Sequence, residues 1–303
     1  MKFLQQSCFK DFGVSLEEKT AKAISLLREH EADARKLDPE GYFLAFSGGK
    51  DSIVIERLAS MSGVKYHSHY SQTTIDPPEL VRFIKDFYPN VAWIRPRENF
   101  FKAVERKGPP SRLVRWCCEK YKESAGDGKY KILGVRAAES VKRAKTWKEV
   151  TPWRGGLGGL VIAPIVRWSH QDVWDFIHHH NMPYCTLYDE GWKRLGCIGC
   201  PMAGAGRIRE FIRWPRFRDL WIRSIERNWE SHVGKKNRYG ENFYCMRFKS
   251  GREFYDWWIS ENSSAAPDEN NECLGLWDDL ESDNSSERHC TGQIVEPESG
   301  GAK

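Results

Sequence analysis

The sequence predicts an α/β fold: a mostly parallel, doubly wound sheet with a helical C-terminal appendage. Three observations predict it. A short apolar run, Tyr42-Phe43-Leu44-Ala45-Phe46, meets the glycine turn Ser47-Gly48-Gly49-Lys50-Asp51-Ser52 and then the helix-like Ser52–Ala59. Further strand-like and helix-like segments alternate as far as residue 165, the pattern of βαβ units and a parallel sheet covered on both faces. The chain has 303 residues, 40% of them hydrophobic and 29% charged, enough for one large α/β domain and a smaller appendage.

The elements follow in order. Residues 15–36 place Leu16, Ala23, Ile24 and Leu27 at helical spacing among charges, which predicts a surface helix with one buried stripe. Asp38-Pro39-Glu40-Gly41 ends it, and residues 1–40 read as an N-terminal helical segment. Residues 64–70 alternate as a second strand, which puts His67 and His69 on one face as ordinary strand residues. Asp76 before Pro77 reads as the cap of a helix whose buried stripe is Leu80, Phe83, Ile84 and Phe87. Residues 91–94 read as the third strand, 100–106 as a helix, 129–136 as the fourth strand and 160–165 as the fifth. Ser169 is the predicted N-cap of the next helix.

Past residue 203 the composition changes. Residues 204–262 form a basic, aromatic, helical region, with apolar positions at helical period over 208–230. Between Arg207 and Arg252 stand 13 Lys/Arg against 5 Asp/Glu; from Glu253 to the end stand 13 Asp/Glu against 2 Lys/Arg. Phe211, Trp214, Phe217, Trp221, Trp229, Tyr239, Phe243 and Tyr244 interleave with the basic residues. This suits either nucleic-acid backbone and stacking contacts or an aromatic helical core with snorkelling arginines. Residues 263–303 read as an acidic, disordered tail. No apolar run approaches the ~20 residues of a membrane span. The first residues lack a signal-peptide core, so a cytoplasmic protein with reduced cysteines is expected.

Two constellations carry chemistry. A glycine turn between strand and helix aims backbone N–H groups and a helix N-terminus at an anion. Gly48 and Gly49 permit close approach, Lys50 brings a mobile charge, and Ser47 and Ser52 bring hydroxyls. The spacing of the Walker loop is absent. The run resembles the PP-loop of the adenine-nucleotide α-hydrolase superfamily, whose members cleave ATP between the α and β phosphates. The second constellation is Cys117-Cys118 with Cys197-x-x-Cys200, four thiols able to hold zinc or an iron–sulfur cluster; spacing alone does not choose between the metals.

The order of motifs from residue 42 to 203 resembles the phosphoadenosine/adenosine phosphosulfate reductase family. Cys117-Cys118-Glu119-Lys120-Tyr121-Lys122 is similar to its Cys-Cys-x-x-Arg-Lys, and Gly134–Ala144 to its Gly-hydrophobic-Arg…Ser-x-x-Arg-Ala. Ala163–Trp174 and Leu187–Trp192 resemble its Asn-Pro-Leu…Asp-Val-Trp and Leu-His-Asp-Gln-Gly-Tyr segments. The resemblance implies a [4Fe–4S] cluster on Cys117, Cys118, Cys197 and Cys200, with zinc the alternative, and an anion site of Lys122, Arg136 and Arg143. It also implies an adenine nucleotide, ATP or a phosphosulfate (APS or PAPS), on residues 47–52, with Asp51 holding Mg²⁺ on pyrophosphate.

There are departures. The reductases carry a degenerate first loop, whereas this one is complete, and Tyr121 stands where they have arginine. Their catalytic Glu-Cys-Gly-Leu-His has only a loose echo, Glu272-Cys273-Leu274-Gly275-Leu276, which makes Cys273 the candidate thiol for reduction. Four cysteines with a complete loop are also similar to the sulfur-activating enzymes of DNA phosphorothioation and to sulfur-inserting tRNA enzymes. That likeness implies ATP-dependent activation of an acceptor, with Lys50, Asp51 and Arg136 central, and a sulfur donor protein of cysteine desulfurase or thioredoxin type. The alternatives are a true APS/PAPS reductase releasing sulfite and a non-catalytic nucleotide- or nucleic-acid-binding module.

Overall fold

The computed structural model describes residues 13–153, 159–260 and 293–295. Helix α1 (Leu16–Leu37) begins at a reciprocal cap: Ser15 Oγ accepts from the Glu18 N–H, and the Ser15 N–H donates to the Glu18 carboxylate. Strand β1 (Tyr42–Phe46) runs through the core, and α2 (Lys50–Ser62) follows the glycine loop. Then come β2 (Tyr66–Ser71), α3 (Pro78–Phe87), β3 (Ala92–Arg95) and α4 (Phe100–Lys107). A short α5 (Trp116–Cys118) runs into a π turn at Glu119–Glu123, and β4 (Lys131–Ile132) follows. After α6 (Val141–Thr146) come β5 (Val150–Pro152), β6 (Leu160–Ile162) and α7 (His170–His179). The C-terminal layer is α8 (Gly206–Arg213), α9 (Pro215–His232) and α10 (Gly251–Ile259), with β7 (Gln293–Val295) beyond it.

The sheet order is β5-β6-β4-β1-β2-β3-β7. The five inner strands are parallel, and β5 and β7 run antiparallel on the two edges. From β1 the chain moves outward to β2 and β3, then returns to the other side of β1 for β4 and β6. The order therefore reverses between β1 and β4, and in such sheets the ligand crevice opens there, beyond the carboxyl ends. The loop after β1 and the segment after β4 both meet at that crevice. Gly134 passes so close that a Cβ there would stand 3.0 Å from the Asp51 carbonyl carbon and oxygen. Helix α7 packs against α1 and α2, and Lys19 pairs with Asp172 at 2.8 Å across the α1–α7 contact.

Several local expectations are corrected. The fourth strand shrinks to two ladder residues, β5 is an unforeseen edge strand, and the fifth predicted strand ends at Ile162. Asp76 does not cap α3, which starts at Pro78 without a side-chain cap; its carboxylate instead accepts from the Thr73 N–H at 2.8 Å. The long helix over 208–230 is split at Trp214, because Pro215 cannot continue the preceding helix and instead opens the next. Most of the acidic tail, including Cys273, lies outside the described residues, but residues 293–295 form β7 on the outer edge of β3. His67 bonds Glu40 at 2.8 Å and His69 stacks on Phe43 at 4.3 Å.

The aromatic residues of the basic region are also decided. Phe211, Trp214 and Trp221 are buried, and Phe217, Trp229, Phe243 and Tyr244 are half-buried against the core. Tyr239 is exposed. The interleaved rings are thus chiefly core rather than a stacking platform, while Arg216, Arg218, Arg223 and Arg227 stay at the surface. The C-terminal layer packs on α4: Arg227 pairs with Glu105 at 2.8 Å, and the Asn228 amide donates to the Glu105 carbonyl at 3.0 Å.

Candidate functional site

The loop after β1 is shaped by its own residues. Gly48 has φ +70°, and a Cβ there would lie 2.7 Å from Ile84. The Ser47 hydroxyl donates to Ser52 Oγ at 3.2 Å, and Ser52 Oγ donates to the Gly49 carbonyl at 2.8 Å. Gly49 is the N-cap of α2, and its carbonyl accepts from the Ser52 N–H at 2.9 Å and the Ile53 N–H at 3.1 Å, so the positive end of the helix dipole begins at the loop.

Behind the loop lies a buried charge triad. Asp51 accepts from Arg136 Nε at 2.5 Å on one oxygen and from Lys50 Nζ at 3.2 Å on the other. The three side chains are 18%, 4% and 5% exposed. Burial pushes the Lys50 pKa down, and the Asp51 charge pulls it back up. With both oxygens engaged, Asp51 reaches a metal only if one of these contacts opens.

Four groups at this site lie outside the set that the sequence motifs predict. Tyr188, 138 residues further on, accepts the Lys50 N–H with its hydroxyl at 2.9 Å, and Lys50 Nζ lies 5.7 Å from its ring centroid. Burial pushes the Tyr188 pKa up, so it stays a neutral phenol. His170 is also near, its pKa lowered by burial and then by the Lys50 and Arg136 charges. Arg194 and Arg115 add positive charge, felt by Arg143. The signal for Tyr188 was its place in the Leu187–Trp192 motif; Arg194 and Arg115 carried none beyond closeness to the cysteines.

Of the expected anion ligands, Arg136 stands beside the loop, tied to Asp51. Arg143 forms an ion pair with Glu139 at the start of α6, and burial lowers its pKa. Lys122 is drawn instead towards the cysteines: the Cys197 sulfur pushes its pKa up. Tyr121, in the place of an arginine, is buried with its hydroxyl donating to the Glu98 carbonyl at 3.1 Å.

The fold brings Cys117, Cys118, Cys197 and Cys200 into one electrostatic neighbourhood, each half-buried. The Cys117 thiol donates to Cys118, which with Arg115 and Lys122 lowers the Cys118 pKa to about 6. Burial pushes Cys197 and Cys200 up, and the Cys197 thiol donates to Thr73 Oγ1 at 3.5 Å. Among the described residues no three His, Cys, Asp or Glu side chains close on one point as a metal-binding group. The four-thiol donor set with adjoining cations nonetheless matches in kind what a cluster or zinc requires. Among the described residues no helix is long and apolar enough to cross a membrane.

The family profile described as the phosphoadenosine phosphosulfate reductase domain matches residues 41–203. An uncharacterised protein of Methanocaldococcus jannaschii is 31% identical over 206 residues, 62% of this chain and 42% of that one. An adenosine 5'-phosphosulfate reductase of Salinibacter ruber is 35% identical over 85 residues, 27% of this chain and 33% of that one. The chain spans less than half the length of these relatives. The crystal structure of phosphoadenylyl-sulfate reductase from Candida auris aligns at TM-score 0.43 and 16% identity, covering 60% of this chain and 93% of that one. With more than half its length matched by that profile, from just before β1 to just past the second cysteine pair, the chain belongs to the phosphoadenosine phosphosulfate reductase domain family.

Proposed function

We propose that the chain is an ATP-dependent enzyme of sulfur transfer, cleaving ATP to AMP and pyrophosphate to activate an acceptor. The observation that carries this reading is the complete Ser47–Ser52 loop, with its helix N-terminus, Lys50 and Arg136 at one crevice. The positive end of α2 and the Lys50 ammonium hold the phosphates, and Arg136 and Arg194 offset the charge that develops as pyrophosphate departs. An acceptor oxygen attacks the α-phosphorus, and the bond to the bridging oxygen breaks with its electron pair on pyrophosphate. The outer sulfur of a donor persulfide then bonds to the activated centre as that centre's bond to the acceptor oxygen breaks, and AMP leaves with that oxygen. A second donor thiol attacks the inner sulfur, the S–S bond breaks, the acceptor keeps the sulfur and the donor ends as a disulfide. Mg²⁺ would neutralise the polyphosphate, with Asp51 as its carboxylate after release from Arg136 or Lys50. Cys117, Cys118, Cys197 and Cys200 would hold a [4Fe–4S] cluster or zinc; a bound cluster supplies a place to orient or pass sulfur. A nucleic acid is the proposed acceptor class, met by the exposed arginines of α9, with a donor protein of desulfurase or thioredoxin type.

The test is incubation with ATP labelled at the α-phosphate, with Mg²⁺, nucleic acid and a persulfide sulfur donor. AMP and pyrophosphate in equal amounts, lost in Lys50→Ala, support the reading; no ATP binding overturns it. A second reading, reduction of adenylyl sulfate to sulfite, is favoured by relatives named as adenosine 5'-phosphosulfate reductases. It requires sulfite release from adenylyl sulfate that Cys273→Ser abolishes.

A further inference from the structure

The Cys197-Ile198-Gly199-Cys200 turn belongs to the matched family segment, yet residues beyond that segment hold its backbone. The Ile198 N–H donates inward, to the Ile75 carbonyl at 2.8 Å. The Ile198 carbonyl accepts from Trp221 Nε1, on α9, at 3.1 Å. The Gly199 N–H donates to Glu210 Oε2, on α8, at 2.7 Å. Gly199 has φ +80°, and a Cβ there would stand 2.5 Å from Trp221 Nε1 and 2.9 Å from Phe211 Cζ. The turn is therefore moulded against the rings of α8 and α9, with no room for a side chain.

The wall that moulds it is itself rigid. Trp221 is fully buried and stacks on Trp258 at 4.5 Å; Trp258 Nε1 donates to the Pro110 carbonyl at 2.8 Å. Phe100 and Phe101 of α4 meet Trp221 edge-on at 5.2 and 5.8 Å. Buried backbone groups of a turn need partners, and outer partners that fix ligand orientation govern how well a site holds its metal.

We infer that the α8–α10 layer serves to fix the shape of the Cys197–Cys200 turn, with Glu210 and Trp221 as positioning residues for its two thiols. This extends the reading of the four cysteines as a ligand set, and its test separates the two. In the full-length, metal-free protein, labelling of individual cysteines by an alkylating reagent is followed by peptide mass spectrometry in wild type, Glu210→Ala, Glu210→Gln and Trp221→Phe. Cys185 and Cys245, both buried and outside the turn in sequence, report general loosening. The same proteins are then loaded anaerobically with ferrous iron and sulfide, and separately with zinc, and challenged with a chelator.

Glu210→Ala and Trp221→Phe should speed labelling of Cys197 and Cys200 about tenfold, with Cys185 and Cys245 unchanged, and should shed metal about tenfold faster. Glu210→Gln should stay near wild type, because its amide oxygen still accepts from Gly199. If Trp221→Phe fails to fold, Glu210→Ala decides. Labelling unchanged at Cys197 and Cys200, or raised equally at Cys185 and Cys245, overturns the inference. So does equal acceleration in Glu210→Gln and Glu210→Ala. Altered labelling in a protein that retains neither metal upholds the positioning role and removes the metal reading.

Discussion

Asp51→Asn tests whether the charge triad behind the loop is closed before nucleotide arrives. The substitution keeps the shape but removes the one negative charge shared by Arg136 and Lys50, which are 4% and 5% exposed. Removing one partner of a buried pair strands the other charge at about 3–5 kcal/mol, and here two cations are stranded. The amide oxygen still accepts one hydrogen bond, so the lower figure, about 3 kcal/mol, is expected. For a chain of this size that is a fall in Tm of roughly 5–10 °C. Pyrophosphate without Mg²⁺ should then stabilise Asp51→Asn more than wild type, because it replaces the missing charge. Differential scanning fluorimetry with and without pyrophosphate reads both effects. A variant as stable as wild type without ligand, yet blind to Mg²⁺ when ATP is present, would refute the triad and make Asp51 a free metal ligand.

Gly48→Ala combines a strained positive φ with a Cβ 2.7 Å from Ile84, and should cost about 2–3 kcal/mol by urea denaturation. Tyr188→Phe leaves the Lys50 N–H without its acceptor, a loss of about 1 kcal/mol that pyrophosphate binding recovers; an unchanged apo stability would show that water serves as well. Burial raises the Glu210 pKa to about 7 from an ordinary 4.5, so the fold disfavours its ionised form. Its contribution is most favourable below about pH 4.5 and declines as pH rises to about 7, where it levels off. Glu210→Gln should therefore gain on wild type by up to about 3 kcal/mol between pH 4.5 and pH 8 in parallel denaturation series; a gap that does not widen with pH would refute it.

What was legible in the sequence was local. The Ser47–Ser52 turn follows from glycine and hydroxyl spacing, and its neighbours β1 and α2 follow from a buried run and a helical period. Contacts between distant residues were not legible. Nothing in the spacing of Leu187–Trp192 sends the Tyr188 hydroxyl to the Lys50 N–H, since that contact depends on how α7 and its following loop return to α2. Asp76 illustrates a choice between two short-range partners: it suited a helix cap, but the Thr73 N–H captured its carboxylate. The aromatic residues after 207 fit two patterns equally on paper. Packing against α4 decided between them, because large rings gain more from burial than from solvent. The Cys197–Cys200 pair was visible, but the helices that hold it lay outside the motif.

The antiparallel edge strand β7 has a consequence for synthesis. The outer edge of β3 is paired by Gln293–Val295, residues made after every other strand of the sheet. Until they emerge from the ribosome, β3 presents unpaired backbone donors and acceptors, the feature that invites pairing with a neighbouring chain. A chain stopped at residue 260 should thus make the whole crevice and its charge triad, yet self-associate through β3. Arg95, exposed at the end of β3, is then the charge that the strand itself presents against such pairing.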